Sequence, residues 1–204
     1  MKKLRLWAFT FLLVFPLFLP MGIASDVPFA DVPFDVTNIP EPVLPPKEVR
    51  DFFDLDPYYQ QWINVRGFPV LASAEVRPYS VKEAAWQIGH MVGHRPDILK
   101  AMAQIKARFS IVPHNKHLPD IPEYDFGRLD FFWEMRARGI GGLTTTSPEE
   151  NIICGYSNYC WAEVIHEFAH QIHDWGLNRI DSTFDSRLET MYNTALQELS
   201  LIHI

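Results

Sequence analysis

Apolar and polar positions along the 204-residue chain fall into a short series of patterns. Trp62-Ile-Asn-Val, Arg66-Gly67 and Phe68-Pro-Val-Leu predict a β-hairpin that turns at the glycine. Ser80 and Glu83 predict a capping box in front of Ala84-Ala-Trp-Gln-Ile. That helix must end by Arg95, because a residue before proline is pushed out of helical geometry. A second short helix is expected from Asp97 to about Lys106, followed by a strand over Arg108-Phe-Ser-Ile-Val. Residues 114–125, rich in proline and histidine, predict a loop. Gly139, Gly141 and Gly142 predict another break, with a polar loop running on to Cys160.

The most informative pattern lies between Trp161 and Trp175. With about 100° between successive residues, Ala162, Ile165, Ala169 and Ile172 share one stripe that should face a core. His166, His170 and His173 fall on the adjoining flank, and Gly176 offers a C-cap. A last helix is expected from about Asp185 to Glu198, with Leu188, Met191, Ala195 and Leu199 nearly in register. Mixed strands and helices in this order predict an α+β fold over residues 57–198.

The flanks read differently. Lys2, Lys3 and Arg5, an apolar run from Leu6 to Ile23, and small residues at Gly22-Ile23-Ala24 predict a signal peptide over 1–24, and so a secreted or extracytoplasmic protein. A retained anchor is the rival, but Pro16 and Pro20 interrupt the run and no basic cluster follows. Residues 25–56 are Pro-rich, with Asp26-Val-Pro-Phe echoed by Asp31-Val-Pro-Phe, and predict an extended tether or pro-segment, with order starting near Tyr58. Without residues 1–24 the charge moves from −7 to −10, with 15 Lys+Arg against 25 Asp+Glu. That argues against nucleic acid or anionic lipid as a partner, and no stable membrane association is expected after cleavage. Cys154 and Cys160, exported with the rest, predict a small disulfide-closed loop; two free thiols are the main alternative, and a thiolate metal pair is less suited to five intervening residues.

The chemistry concentrates in His166-Glu167-Phe168-Ala169-His170. Two histidines at i and i+4 on a helix aim their ring nitrogens at one point and supply two of the positions that Zn2+ prefers. Glu167 sits round the helix from them, free to act as general base toward a zinc-activated water that attacks a peptide bond. The bland reading is two core histidines with a surface glutamate. Burying several imidazoles together without a metal or an acid is costly, which favours the metal. His173 lies about 4.5 Å further along the axis than His170 and is expected to support a ligand from outside the coordination sphere or to face the substrate.

His90 and His94 repeat the i, i+4 spacing without a following glutamate, at a helix end where histidines commonly meet free carbonyls. His114 and His117, in a proline-rich loop, receive no role. A catalytic zinc needs a third protein ligand. Glu189 is the in-chain candidate, although a surface helical glutamate is its commoner explanation. The last six residues, Leu-Ser-Leu-Ile-His-Ile over 199–204, match what a common sequencing adapter encodes, so the reading frame is expected to be cut short there.

Four segments together carry a resemblance. They are Tyr58-Tyr-Gln-Gln-Trp-Ile-Asn-Val-Arg-Gly-Phe-Pro-Val-Leu-Ala-Ser, His94-Arg-Pro-Asp-Ile-Leu, Arg136-Ala-Arg-Gly-Ile-Gly-Gly and His166-Glu-Phe-Ala-His-Gln-Ile-His. The chain resembles secreted proteins related to the catalytic domain of anthrax lethal factor, in the zincin group of metallopeptidases, over roughly residues 57–198. The resemblance implies a zincin-like α+β domain with His166 and His170 as zinc ligands, Glu167 as general base and a peptide or protein substrate. It also implies a third ligand, a glutamate on a later helix, beyond the end of this chain. The other class of function is a non-catalytic secreted zinc-binding module, or a truncated and inactive one.

Overall fold

The computed structural model describes residues 26–124, 137–153 and 163–198. The expected signal peptide, the Cys154–Cys160 pair and residues 199–204 lie outside them. The architecture is mixed α+β, built on a four-stranded sheet in the order β1-β2-β3-β4. Strands β1 (Gln61–Val65) and β2 (Phe68–Ala72) form the expected hairpin, with Val65 opposite Phe68. Arg66 and Gly67 both take positive φ, 51° and 87°. Such a two-residue turn matches the twist of its strands, and the second position suits glycine. Strand β3 (Arg108–Val112) runs parallel to β2, and β4 (Thr144–Pro148) runs parallel to β3.

Strand β4 corrects the expected polar loop. Thr144-Thr-Thr-Ser-Pro is buried along its whole length. Threonine's branched side chain suits a pleated sheet, so β-propensity wins here over polarity.

The sheet is covered on both faces. In β2, Phe68, Val70 and Ala72 join the main core while Leu71 enters a second cluster, the period-2 alternation of a strand. The main core also takes Val81, Ala84, Ala85, Ile88 and Val92 of helix α2 (Pro78–Val92), and Ile98, Leu99 and Met102 of α3 (Pro96–Gln104). The second cluster holds Val49 and Phe53 of α1 (Lys47–Phe53), with Val27, Leu55, Tyr59 and Trp62. The Pro-rich stretch is therefore packed from its first described residues, contrary to the expected extended tether with order beginning near Tyr58. Its prolines precede α1 and interleave with apolar anchors, which composition alone does not reveal.

The expected capping box is also replaced. Helix α2 begins at Pro78 with Arg77 as N-cap, and Ser80 is buried one turn inside. Ser80 Oγ donates to Glu149 Oε1 at 2.8 Å, and the Arg77 N–H reaches the same oxygen at 3.0 Å. Glu149 opens the short helix α4 (Glu149–Ile152), so the cap comes from a distant segment. Proline at N1 needs no N–H partner, which moves the start forward.

Candidate metal centre

Helix α5 (Glu163–Gln171) continues into a π-helical segment, Ile172–Leu177, and a final turn, α6 (Asn178–Ile180). Its buried stripe is Val164, Phe168 and Gln171, spaced i, i+4, i+7. The expected stripe holds only in part: Ile165 is 49% exposed and Ala169 is exposed too, whereas Ile172 packs on the main core and Ala162 lies outside the described residues. Phe168 decides the rotation. Its ring sits 5.5 Å from Phe68 and 6.2 Å from Phe109, measured between centroids, and a large aromatic gains more from the core than alanine does.

Gln171 is the residue that sequence reasoning missed. It is fully buried, and its Nε2 donates toward three backbone carbonyls, of Gly142 and Leu143 at 2.8 Å and of Arg108 at 3.1 Å. This amide ties the end of α5 to the starts of β3 and β4. A glutamine just after a helical histidine, on the stripe of Val164 and Phe168, was the available signal.

With Phe168 and Gln171 turned inward, the neighbouring donors turn outward. His166 and His170 are exposed and Glu167 is half-buried. The Nε2 atoms of the two histidines stand 3.3 Å apart. That is within hydrogen-bond reach of two imidazoles, and it also matches the ~3.3–3.4 Å between nitrogens each ~2.0–2.1 Å from one tetrahedral ion. One ligand atom from each of His166, Glu167 and His170 lies within 4.8 Å of the others, the one such grouping of three among the described residues.

The glycine-rich segment after Arg138 rests on this helix. A Cβ on Gly141 would come 2.8 Å from His170 Cβ and 3.1 Å from the Glu167 carbonyl oxygen, so only glycine lets the two backbones approach so closely. Gly139 likewise leaves room for the Glu163 carboxylate, which accepts from Asn151 Nδ2. Burial, reinforced by the nearby Glu167 and partly offset by Arg138, lifts the Glu163 carboxyl to about 7.

His173 stands apart from the cluster. Its Nε2 lies 2.6 Å from Asp185 Oδ1, and Asn178 Nδ2 donates to the other Asp185 oxygen at 3.1 Å. The hydrogen bond from the imidazole draws the exposed Asp185 carboxyl below its ordinary range. His173 and Asp185 line an open cavity of about 540 Å³ with Leu188, Glu189 and Tyr192. Glu189 thus sits on helix α7 (Phe184–Gln197) beside His173, outside the three-donor grouping. Gly176 does not cap the helix as expected. It is buried inside the π segment, where a Cβ would meet Ile98 at 2.7 Å, and helical winding continues to Ile180.

The second histidine pair behaves as an ordinary one. Helix α2 ends at Val92, so His94 lies beyond it, while His90 Nδ1 is 2.9 Å from the Trp86 carbonyl. Among the described residues no helix is long and apolar enough to cross a membrane. No protein-family model, curated protein or solved structure gives a significant match to the chain.

Proposed function

We propose that this chain is a secreted zinc-dependent peptidase of the zincin group, related to the catalytic domain of anthrax lethal factor. The observation that carries the reading is the 3.3 Å separation of the two exposed imidazole nitrogens, with the Glu167 carboxylate alongside. His166 and His170 would hold the ion, and two neutral imidazoles are donors that zinc accepts readily. When bound, zinc lowers the pKa of a water toward ~7 and polarises a carbonyl.

The chain's own residues do the rest. Glu167, with a carboxylate oxygen within 4.8 Å of a ring nitrogen of each histidine, would take a proton from a water activated at the site and return it to the leaving amine. Gly141, against the Glu167 carbonyl and His170 Cβ, fixes how near the glycine-rich segment comes to the reacting groups. Phe168 and Gln171 set the rotation of α5 and so the bearing of all three donors. A third protein ligand, which the resemblance places on a later helix, is not supplied by Glu189 at its observed position.

The test separates binding from chemistry. Glu167→Gln should keep stoichiometric zinc and lower peptide hydrolysis by about 10²–10⁴-fold, the usual worth of a general base. Undiminished hydrolysis in that variant would remove the mechanism. Zinc bound by the unaltered chain with no hydrolysis of any peptide offered would instead favour a binding module.

A further inference from the structure

The repeated Asp-Val-Pro-Phe near the amino terminus is used twice, at two separate glycine notches. In the first copy Val27 is 5% exposed and packs on the hairpin turn, where a Cβ on Gly67 would lie 2.8 Å from Val27 Cγ1. The Phe29 ring stands 5.5 Å from that of Trp62, and Asn64 Nδ2 donates to the Phe29 carbonyl at 3.2 Å. In the second copy Phe34, helped by Val36, fills a notch on α2. A Cβ on Gly89 would come 2.5 Å from Phe34 Cε1 and 2.8 Å from Val36 Cγ1. Beyond the repeat, Glu41 pairs with Lys82, and Val43 exchanges two backbone hydrogen bonds with Trp62, of 3.1 and 2.8 Å.

These anchors join the edge strand β1 and its turn to helix α2. Phe34 and Ile39 pack on the same core cluster that holds Val164 and Phe168 of α5. None of the anchors touches the three-donor grouping as an occupant would, because each contact named lies on the hairpin or on α2. A segment that silences a site by covering it has to touch that site. This one supports the core behind the site, and it closes part of a strand edge that would otherwise offer unpaired backbone groups to another chain.

We propose that residues 26–43 are a structural latch, retained in the working protein, whose two Asp-Val-Pro-Phe plugs keep the hairpin, α2 and the donor helix seated together. Cutting the latch therefore disables the metal site instead of unmasking it. The part of this inference that concerns the metal rests on the zinc reading above; the part that concerns stability does not.

The experiment uses the full chain with a specific cleavage sequence inserted between Thr37 and Asn38, both exposed in a turn. Cut and uncut protein are compared after gel filtration, by thermal unfolding without metal and by zinc titration. The latch predicts a fall in Tm on the order of 5 °C or more and a loss of zinc affinity of about tenfold. An unchanged Tm, or a gain of peptide hydrolysis on cutting, overturns it. If neither sample binds zinc, the metal reading fails while the Tm comparison still judges the latch. As a milder second variant, Phe34→Ala in the uncut chain should speed limited proteolysis between Asp31 and Asn38 severalfold, and an unchanged cleavage rate would count against the latch.

Discussion

Two histidine pairs in this molecule share a spacing and have different fates. His90 and His94 straddle the end of α2; the first sits 2.9 Å from the Trp86 carbonyl with its ring 4.1 Å from that of Trp86, and the second lies past the helix. His166 and His170 lie wholly inside α5, and their nitrogens converge to 3.3 Å. Spacing alone therefore does not bring two ring nitrogens together. An unbroken helical turn does, provided a buried stripe beside it fixes the rotation. In α5 that stripe is Val164, Phe168 and Gln171.

The sharpest way to break the contrast is to remove the pairs in turn. His166→Ala or His170→Ala should weaken zinc binding by more than about 100-fold, since even outer partners of ligands are worth 10–100-fold. His90→Ala and His94→Ala should leave a zinc titration unchanged, and a loss there would void the contrast. The rotation argument is tested next by Gln171→Leu, which removes one donor from each of the carbonyls of Gly142, Leu143 and Arg108, while Thr145 Oγ1 still donates to Gly142 and the Arg108 N–H to Leu143. Denaturant unfolding should show a loss of about 2–3 kcal/mol. A smaller effect is expected at Gly141→Ala, where the new methyl presses on His170 and Glu167. Zinc affinity should drop about tenfold, with a modest fall in Tm because the glycine-rich segment and α5 have to move apart.

The last test concerns pH. With a folded pKa of about 7 against an ordinary 4.5, the Glu163 carboxyl binds its proton more tightly in the folded chain. Its contribution to stability therefore falls as pH rises from about 4.5 to 7, and the cost of ionising it stays in force above that range. In metal-free protein Glu163→Gln should flatten that part of the stability profile and gain most at pH 8. A steeper profile in the variant would show the sign to be wrong.

How far the residues announce the architecture depends on where the deciding force acts. The hairpin was legible because Arg66-Gly67 forces a turn locally, and β3 because Arg108–Val112 is short and apolar between breakers. Helices α2, α3 and α7 fall close to their expected spans for similarly local reasons. Strand β4 was not legible, since Thr144-Thr-Thr-Ser owes its strand state to pairing with β3, a partner more than thirty residues away in sequence. The α2 cap was misplaced because Glu149, far along the chain, supplies the acceptor. The grouping of His166, Glu167 and His170 was legible from spacing, while the face that α5 buries was not. One alternation of alanines and isoleucines looked apolar enough, and only the presence of Phe68 and Phe109 across the gap favours Phe168.

Helix α7 has no buried residue, with Leu188, Met191, Tyr192 and Leu196 all more than 40% exposed. Its backbone hydrogen bonds thus lack the tertiary support that holds β2 and β3. Amide protons between Phe184 and Gln197 should exchange with solvent deuterium through local opening, long before those of the central strands are released by global unfolding. The polypeptide is thereby divided into a slow interior and a fast carboxyl-terminal helix, and the Asp185 partner of His173 belongs to the fast part.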